Sequence, residues 1–285
     1  MKSIRLLVAL GLLIPACGWE SDGAARLAER YADPGGAADI AAEEVAPHEV
    51  DLGDVGGTGL AGRWAVQVVV TGTMAPIGVE WAFTETSWFL TDLADGASTA
   101  SLVYCDQVND VPKSPNPTKQ PPALYDVLVA KPLELALTAD GVGASTVVWT
   151  WGLDVQKLGD VGQKPEALDA TSDAVTDEDG DGQEGVTLEV LVKKDLSHYA
   201  SRYLARWERW DLLAGSLSED GLRVEGALSA EAVEFALGAD KDIVNRPSNL
   251  VVDPGDVHSW RLRRVPADYT CADLRQDATA LFPPL

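Results

Sequence analysis

The chain has 285 residues, and its 22 Lys+Arg against 45 Asp+Glu give a formal net charge of −23. That length supplies one large domain or two small ones, and 46% apolar with 24% charged residues excludes a wholly disordered chain. The acidic excess argues against nucleic acid or anionic membrane headgroups as the main partner.

Residues 1–16 read as an export signal. Lys2 and Arg5 give a positive start, an apolar stretch runs from Leu6 to Pro15, and Ala16-Cys17 follows. The apolar stretch is shorter than the roughly 20 residues of a membrane-spanning helix, and no later stretch is long enough. Ile14-Pro15-Ala16-Cys17 resembles the bacterial lipobox, with Pro15 a departure from its commonest pattern. The resemblance implies that the Cys17 thiol takes a diacylglycerol, that the signal is removed, and that the new N-terminus is acylated. The membrane is then a partner through this anchor, since acyl chains contribute about 0.8 kcal/mol per buried CH₂. Gly18 rather than Asp follows the cysteine, which by the same analogy implies the outer membrane of a bacterial envelope. The plainer alternative is a soluble secreted protein.

Residues 17–60 hold 10 acidic and 2 basic residues and many Gly and Ala. They read as a flexible acidic spacer between the anchor and a domain over 61–275. Within it, AARLAERY offers a short helix around Gly23–Tyr31. From Gly62 the texture changes. Trp64–Thr71 is β-branched, and Val79, Trp81 and Phe83 alternate with polar or small residues. Trp88 and Leu90 continue in the opposite phase, which predicts a bulge or kink. Ser101–Val108 is a strand carrying Cys105, followed by a loop with Pro112, Pro115, Pro117, Pro121 and Pro122. Tyr125–Ala130, Leu133–Thr138 and Ser145–Leu153 read as further strands, with Val147, Trp149 and Trp151 on one face.

Residues 154–184 form a second acidic, turn-rich segment, again with 10 acidic and 2 basic residues. Val186–Val192 is strand-like. Tyr199–Leu213 places Tyr199, Tyr203, Trp207 and Trp210 at helical spacing, but its neighbours and its aromatics favour a strand. Gly221–Leu228 with Ala232–Leu237 reads as a hairpin, and His258–Val265 as the last strand before a tail over 276–285. Many short strands without alternating long helices predict an all-β domain, an antiparallel β-barrel or sandwich.

The strongest chemical motif is Asp-Glu-Asp-Gly-Asp-Gly at 177–182. Asp177, Asp179 and Asp181 match positions 1, 3 and 5 of an EF-hand-type loop, and Gly182 the sharp turn at position 6. The Gln183 carbonyl and Glu184 are further candidate ligands, with Asp173 an additional one if the preceding loop folds back. Calcium is the expected cofactor, because alternate carboxylates converge on an ion that takes six to eight oxygens. Leu188 stands where a bidentate Glu is usual, so a weak, extracellular-grade site of about 10⁻⁴–10⁻³ M is expected. A solvated acidic turn is the plainer reading. If Cys17 is lipidated, Cys105 and Cys271 remain, and an oxidising compartment is expected to join them as a disulfide. Two buried free thiols are the alternative.

Gly62-Arg63-Trp64 resembles the lipocalin GxW signature. That resemblance implies a Trp at the barrel floor with an Arg packed over it, supplied by Arg261, Arg263 or Arg264. It also raises a carrier of an apolar ligand or lipid, with Trp64, Trp81, Trp149 and Trp151 lining a pocket. A second resemblance covers about residues 61–275. Its marks are Gly62–Thr71, Cys105, the DxDGDGxxGVT pattern of Asp177–Thr187, Tyr199–Trp210, Ser259–Leu262 and Cys271. This order is similar to predicted lipoproteins of myxobacteria and their relatives, which have no assigned activity; Glu184 stands where their pattern commonly has Pro.

No GxSxG, HExxH, P-loop or helix-preceding GxGxxG is present. His48, His198 and His258 each read as surface residues. The basic cluster Arg202, Arg206 and Arg209 offers either an anion site or partners for neighbouring acids. The sequence reading is therefore a lipid-anchored envelope protein with a structural calcium loop and no evident catalytic activity. The alternatives are the apolar carrier and an enzyme acting on envelope polysaccharide through a carboxylate pair.

Overall fold

The computed structural model describes residues 59–75, 80–111, 118–138, 141–192, 199–246, 248–252 and 258–283. The signal, Cys17, the spacer helix over Gly23–Tyr31, Val79, Pro112, Pro115, Pro117, His48 and His198 lie outside them. Among the described residues no helix is long and apolar enough to cross a membrane.

Among the described residues, twelve antiparallel strands carry the fold. In chain order they are β1 (Gly62–Met74), β2 (Trp81–Leu93), β3 (Thr99–Asp110), β4 (Thr118–Lys119), β5 (Leu133–Thr138), β6 (Gly141–Val142), β7 (Ser145–Trp151), β8 (Val186–Leu191), β9 (Tyr199–Leu212), β10 (Gly215–Ser216), β11 (Arg223–Ala239) and β12 (His258–Val265). Helix α1 (Pro122–Ala130) follows β4, and α2 (Cys271–Leu281) follows β12. The strand order is β10-β6-β5-β3-β2-β1-β12-β11-β9-β8-β4, with β7 also on β9. The sheet does not close. It folds over itself as a sandwich; its main path ends in two-residue strands, and β7 forms a further edge beside β8 on β9. A bridge between Leu217 and Val224 lays the chain after β10 beside β11.

The main core takes one face of nearly every strand: Val66, Val68 and Val70 of β1, Phe89 of β2, Tyr104 of β3, Trp149 and Trp151 of β7, Leu204 and Trp210 of β9, and Trp260 of β12. Trp149 and Trp210 stack at 6.0 Å, with the Phe89 and Tyr104 rings against Trp149 at 5.7 and 5.6 Å. Such contacts add directional preference to the burial of large apolar surfaces.

The phase change in β2 has a packing cause. Phe89 faces the main core, while Trp88 and Leu90 on the opposite face meet Leu274, Ala278 and Leu281 of α2. Both faces of this strand are therefore covered. The irregularity itself lies in β3, where Trp88 pairs with Asp106 and Phe89 with Tyr104, leaving Cys105 as the extra residue. Cys105 joins Cys271 at the start of α2 in a disulfide, with their Cα atoms 5.0 Å apart.

Three sequence expectations are corrected. Tyr125–Ala130 is not a strand but most of α1, with Pro122 at its start and Leu124 and Leu128 buried one helical turn apart. Gly221–Leu228 and Ala232–Leu237 do not form a hairpin. They lie in the single strand β11, which pairs with β12 up to Leu228 and with β9 from Leu228 onward. The tail over 276–285 is largely helix. A capping box between Thr270 and Asp273 starts α2, which runs through Leu281 and packs on the sheet. Tyr199–Leu212 is a strand, as its aromatics predict, and its alternation sends Trp207 and Trp210 to opposite faces.

Candidate metal centre

Strand β9 shares one edge between two partners. Residues 206–212 pair with β7 and residues 199–204 with β8, so the chain between β7 and β8 must leave and return at one point. Gly152 and Gly185 form that point, with φ of +63° and +95°. A Cβ on Gly152 would lie 2.6 Å from the Gly185 Cα, and one on Gly185 would lie 2.4 Å from the Leu204 carbonyl oxygen. Only glycine satisfies both the left-handed backbone and this approach.

The intervening acidic segment is not a free solvated loop. Leu153, Val175, Leu158 and Leu168 pack with Trp207 on the outer face of β9. Trp207 Nε1 donates to the Val161 carbonyl at 2.9 Å, and Arg209 Nη1 to the Gly162 carbonyl at 2.8 Å.

The segment ends in the Asp loop. One carboxylate oxygen from each of Asp177, Asp179 and Asp181 lies within 4.8 Å of the others, the arrangement a cation requires. Backbone amides hold them there. Asp177 accepts from the Asp181 and Gly182 amides at 3.1 and 2.8 Å, and Asp181 accepts from the Gln183 amide at 2.8 Å. Gly182 takes φ of +88°, as the sharp turn demands. Thr187, at the start of β8, donates its amide to Asp179 at 2.8 Å and its hydroxyl to Asp181.

Asp179 is the most confined of the three. Its Oδ1 is buried without a hydrogen-bond partner. Burial raises its pKa above the ordinary aspartate value, and the charges of Asp181 and Asp177 push the same way against the Thr187 amide. A cation would reverse the repulsive part of this environment.

Glu184 is exposed and its carboxylate is not in the converging group; Asp173 is also exposed and outside it, and Gln183, expected to contribute its carbonyl, follows directly after the Gly182 turn. Sequence reading missed Thr187 and Glu178. Alternation sends Glu178 away from the three aspartates, where it accepts the Gly152 amide at 2.6 Å and pairs with Lys131 at 2.5 Å. The loop is thus fastened to the end of β7 and to the residue after α1.

The expected apolar-site tryptophans divide. Trp64, Trp149 and Trp151 belong to the packed main core, whereas half-buried Trp81 does not. The cation over Trp64 is Arg264, 4.6 Å from the ring centroid, and it donates to the Gly221, Ala61 and Gly59 carbonyls. His258, expected at the surface, is buried, and its Nδ1 accepts the Thr71 amide at 3.1 Å.

The arginines of β9 meet neighbouring acids. Arg202 pairs with Glu234 at 2.7 Å, and Arg209 with Asp211 at 3.0 Å. Arg206 sits inside the sandwich between Glu85 of β2 and Glu208, 2.7 Å from each, and 5.1 Å from the Trp151 ring centroid. Glu208 also accepts from Trp210 Nε1 at 2.7 Å. This carboxylate pair is enclosed in the core, with Glu85 and Glu208 both under 2% exposed.

No family model, curated protein or solved structure matches this chain.

Proposed function

We propose that this protein is a lipid-anchored bacterial envelope protein whose β-sandwich carries a structural calcium site. The observation that carries the calcium reading is the convergence of Asp177, Asp179 and Asp181, with the buried Asp179 Oδ1 left without a partner. Three like charges held this close repel one another, and a divalent cation offsets that repulsion. The Asp177 and Asp181 carboxylates are already positioned by backbone amides, so binding orders little that is not ordered beforehand. The ion would lock the crossing of Gly152 and Gly185 where β7 hands the chain to β8. The role fits a structural site, since the loop is fastened to the sheet through Glu178 and Thr187.

Calorimetric titration of calcium into the wild type and into the Asp179→Ala/Asp181→Ala variant tests this. The wild type is expected to bind with Kd of about 10⁻⁴–10⁻³ M and the variant to give no binding heat. Equal heats from both, or none from the wild type, would sink it.

The anchor reading rests on Ile14-Pro15-Ala16-Cys17, and the Cys105–Cys271 disulfide supports an oxidising, exported location. Expression in a bacterial host with a radiolabelled fatty acid is expected to label the wild type and leave Cys17→Ser unlabelled. Label retained by Cys17→Ser would refute the anchor. The stacking of Trp149 on Trp210 inside the core favours a filled interior over an apolar carrier.

A further inference from the structure

The interior charges of the sandwich do not balance. Glu85, Glu208 and Glu234 face Arg206 and Arg202, three carboxyl groups against two guanidiniums. Exposure is 1% for Glu85, 4% for Arg206, 0% for Glu208, 9% for Glu234 and 11% for Arg202. Glu208, Glu85 and Glu234 act on Arg206 from β9, β2 and β11, and the charges that act on Glu85 are those of Arg206 and Glu208. A net charge in so little solvent is costly, and the ordinary escape is to neutralise one group.

The donors decide which group. Both oxygens of Glu208 receive charge-assisted or indole donors, from Arg206 Nη2 and Trp210 Nε1 at 2.7 Å each. Glu234 is matched by Arg202 at 2.7 Å. Burial alone would raise the Glu234 pKa, but the charges of Arg202 and Arg206 hold it below the ordinary value. Glu85 differs: its Oε2 lies 2.7 Å from Arg206 Nη1, while its buried Oε1 has no hydrogen-bond partner. A carboxyl in that position gains a bond by carrying a proton and donating it.

We propose that Glu85 and Glu208 form a proton-sharing carboxyl pair inside the sandwich, with the proton on Glu85 and directed at the Glu208 carboxylate, which makes the fold's stability sensitive to pH. The proton comes from water on folding and returns to it on unfolding, so no other reactant is needed.

Burial pushes the Glu85 pKa from 4.5 up to about 8, with the Glu208 charge adding to the rise and Arg206 opposing it. The raised folded value fixes the sign. Between 4.5 and about 8 the folded state holds a proton that the unfolded state releases, so stability falls as pH rises through that window and levels off above it.

Infrared difference spectra and thermal melts of the full chain test the pair. At pH 6 the wild type is expected to show a buried protonated-carboxyl carbonyl band that Glu85→Gln lacks. Glu208→Gln should lose the same band although Glu85 remains, because Arg206 then has one carboxylate partner and Glu85 ionises. From pH 5 to pH 9 the wild-type melting temperature should fall by about 10 °C more than that of Glu85→Gln. Overturning results are a wild type without the band, a band that survives in Glu85→Gln or Glu208→Gln, or parallel melting profiles.

Discussion

Replacing Arg206 with alanine is expected to lower the unfolding free energy by about 3–5 kcal/mol, read from urea unfolding followed by tryptophan fluorescence. The guanidinium is the shared partner of Glu85 and Glu208, 2.7 Å from each and 4% exposed. Removing it leaves two buried carboxyl groups to face each other, and breaking a buried ion pair from one side costs about that much. It also removes the cation over Trp151. The loss belongs to the unpaired carboxyls rather than to an intrinsic strength of the pair. Replacing the whole set with Glu85→Leu, Arg206→Met and Glu208→Gln is therefore expected to restore most of the stability. The Gln keeps an acceptor for Trp210 Nε1, which would otherwise be buried without one. A cost below about 1 kcal/mol for Arg206→Ala would show that water reaches the cluster.

The second large effect concerns the disulfide. Cys105→Ala/Cys271→Ala is expected to destabilise the protein by about 5 kcal/mol in the chain-entropy account, because the bridge spans 166 positions of sequence. What the bridge holds locally is α2. Without it, the helix keeps Leu274, Ala278 and Leu281 against Ala65, Trp88, Leu90 and Val265, and keeps the Arg275 bond to the Cys105 carbonyl at 3.0 Å. Those contacts form a small cluster separate from the main core, and small clusters open locally before a main core does. Reduction should therefore expose Trp88 before the main core opens, giving a red-shifted emission at denaturant concentrations that leave the far-ultraviolet signal of the sheet unchanged. Coincident spectroscopic transitions in the reduced protein would show that α2 does not detach separately, and unchanged stability would refute the bridge's contribution.

Much of the architecture was legible from periodicity. Trp64–Thr71, Ser145–Leu153 and His258–Val265 announce strands through β-branched and aromatic residues, and the structure places β1, β7 and β12 there, with β7 ending at Trp151. The Asp177–Gly182 spacing likewise carries local information, since alternate side chains in such a loop converge wherever it sits. Other elements lacked that local signature. Tyr125–Ala130 is a short apolar run, and the helix signal was Pro122 at its first position rather than periodicity. In β11, Ser229, Ala230 and Glu231 stand where a hairpin turn is expected, but the strand continues because it changes partner from β12 to β9 at Leu228. No window of sequence contains that exchange.

The chain's acidity shows the same division. Its sequence alone locates the acidic excess largely in residues 17–60 and 154–184, and alone fixes the alternation of Asp177, Asp179 and Asp181, because charge and spacing are properties of neighbours along the chain. The tertiary structure decided what the acids do. It straps the second acidic segment over Trp207, turns Glu178 inward to Gly152 and Lys131, and buries Glu85 against Arg206 and Glu208. An acid in an alternating strand looks the same in sequence whether it faces water or a guanidinium. Only the folding of β2 across β9 determines which it meets, and with it whether the group holds a charge or a proton.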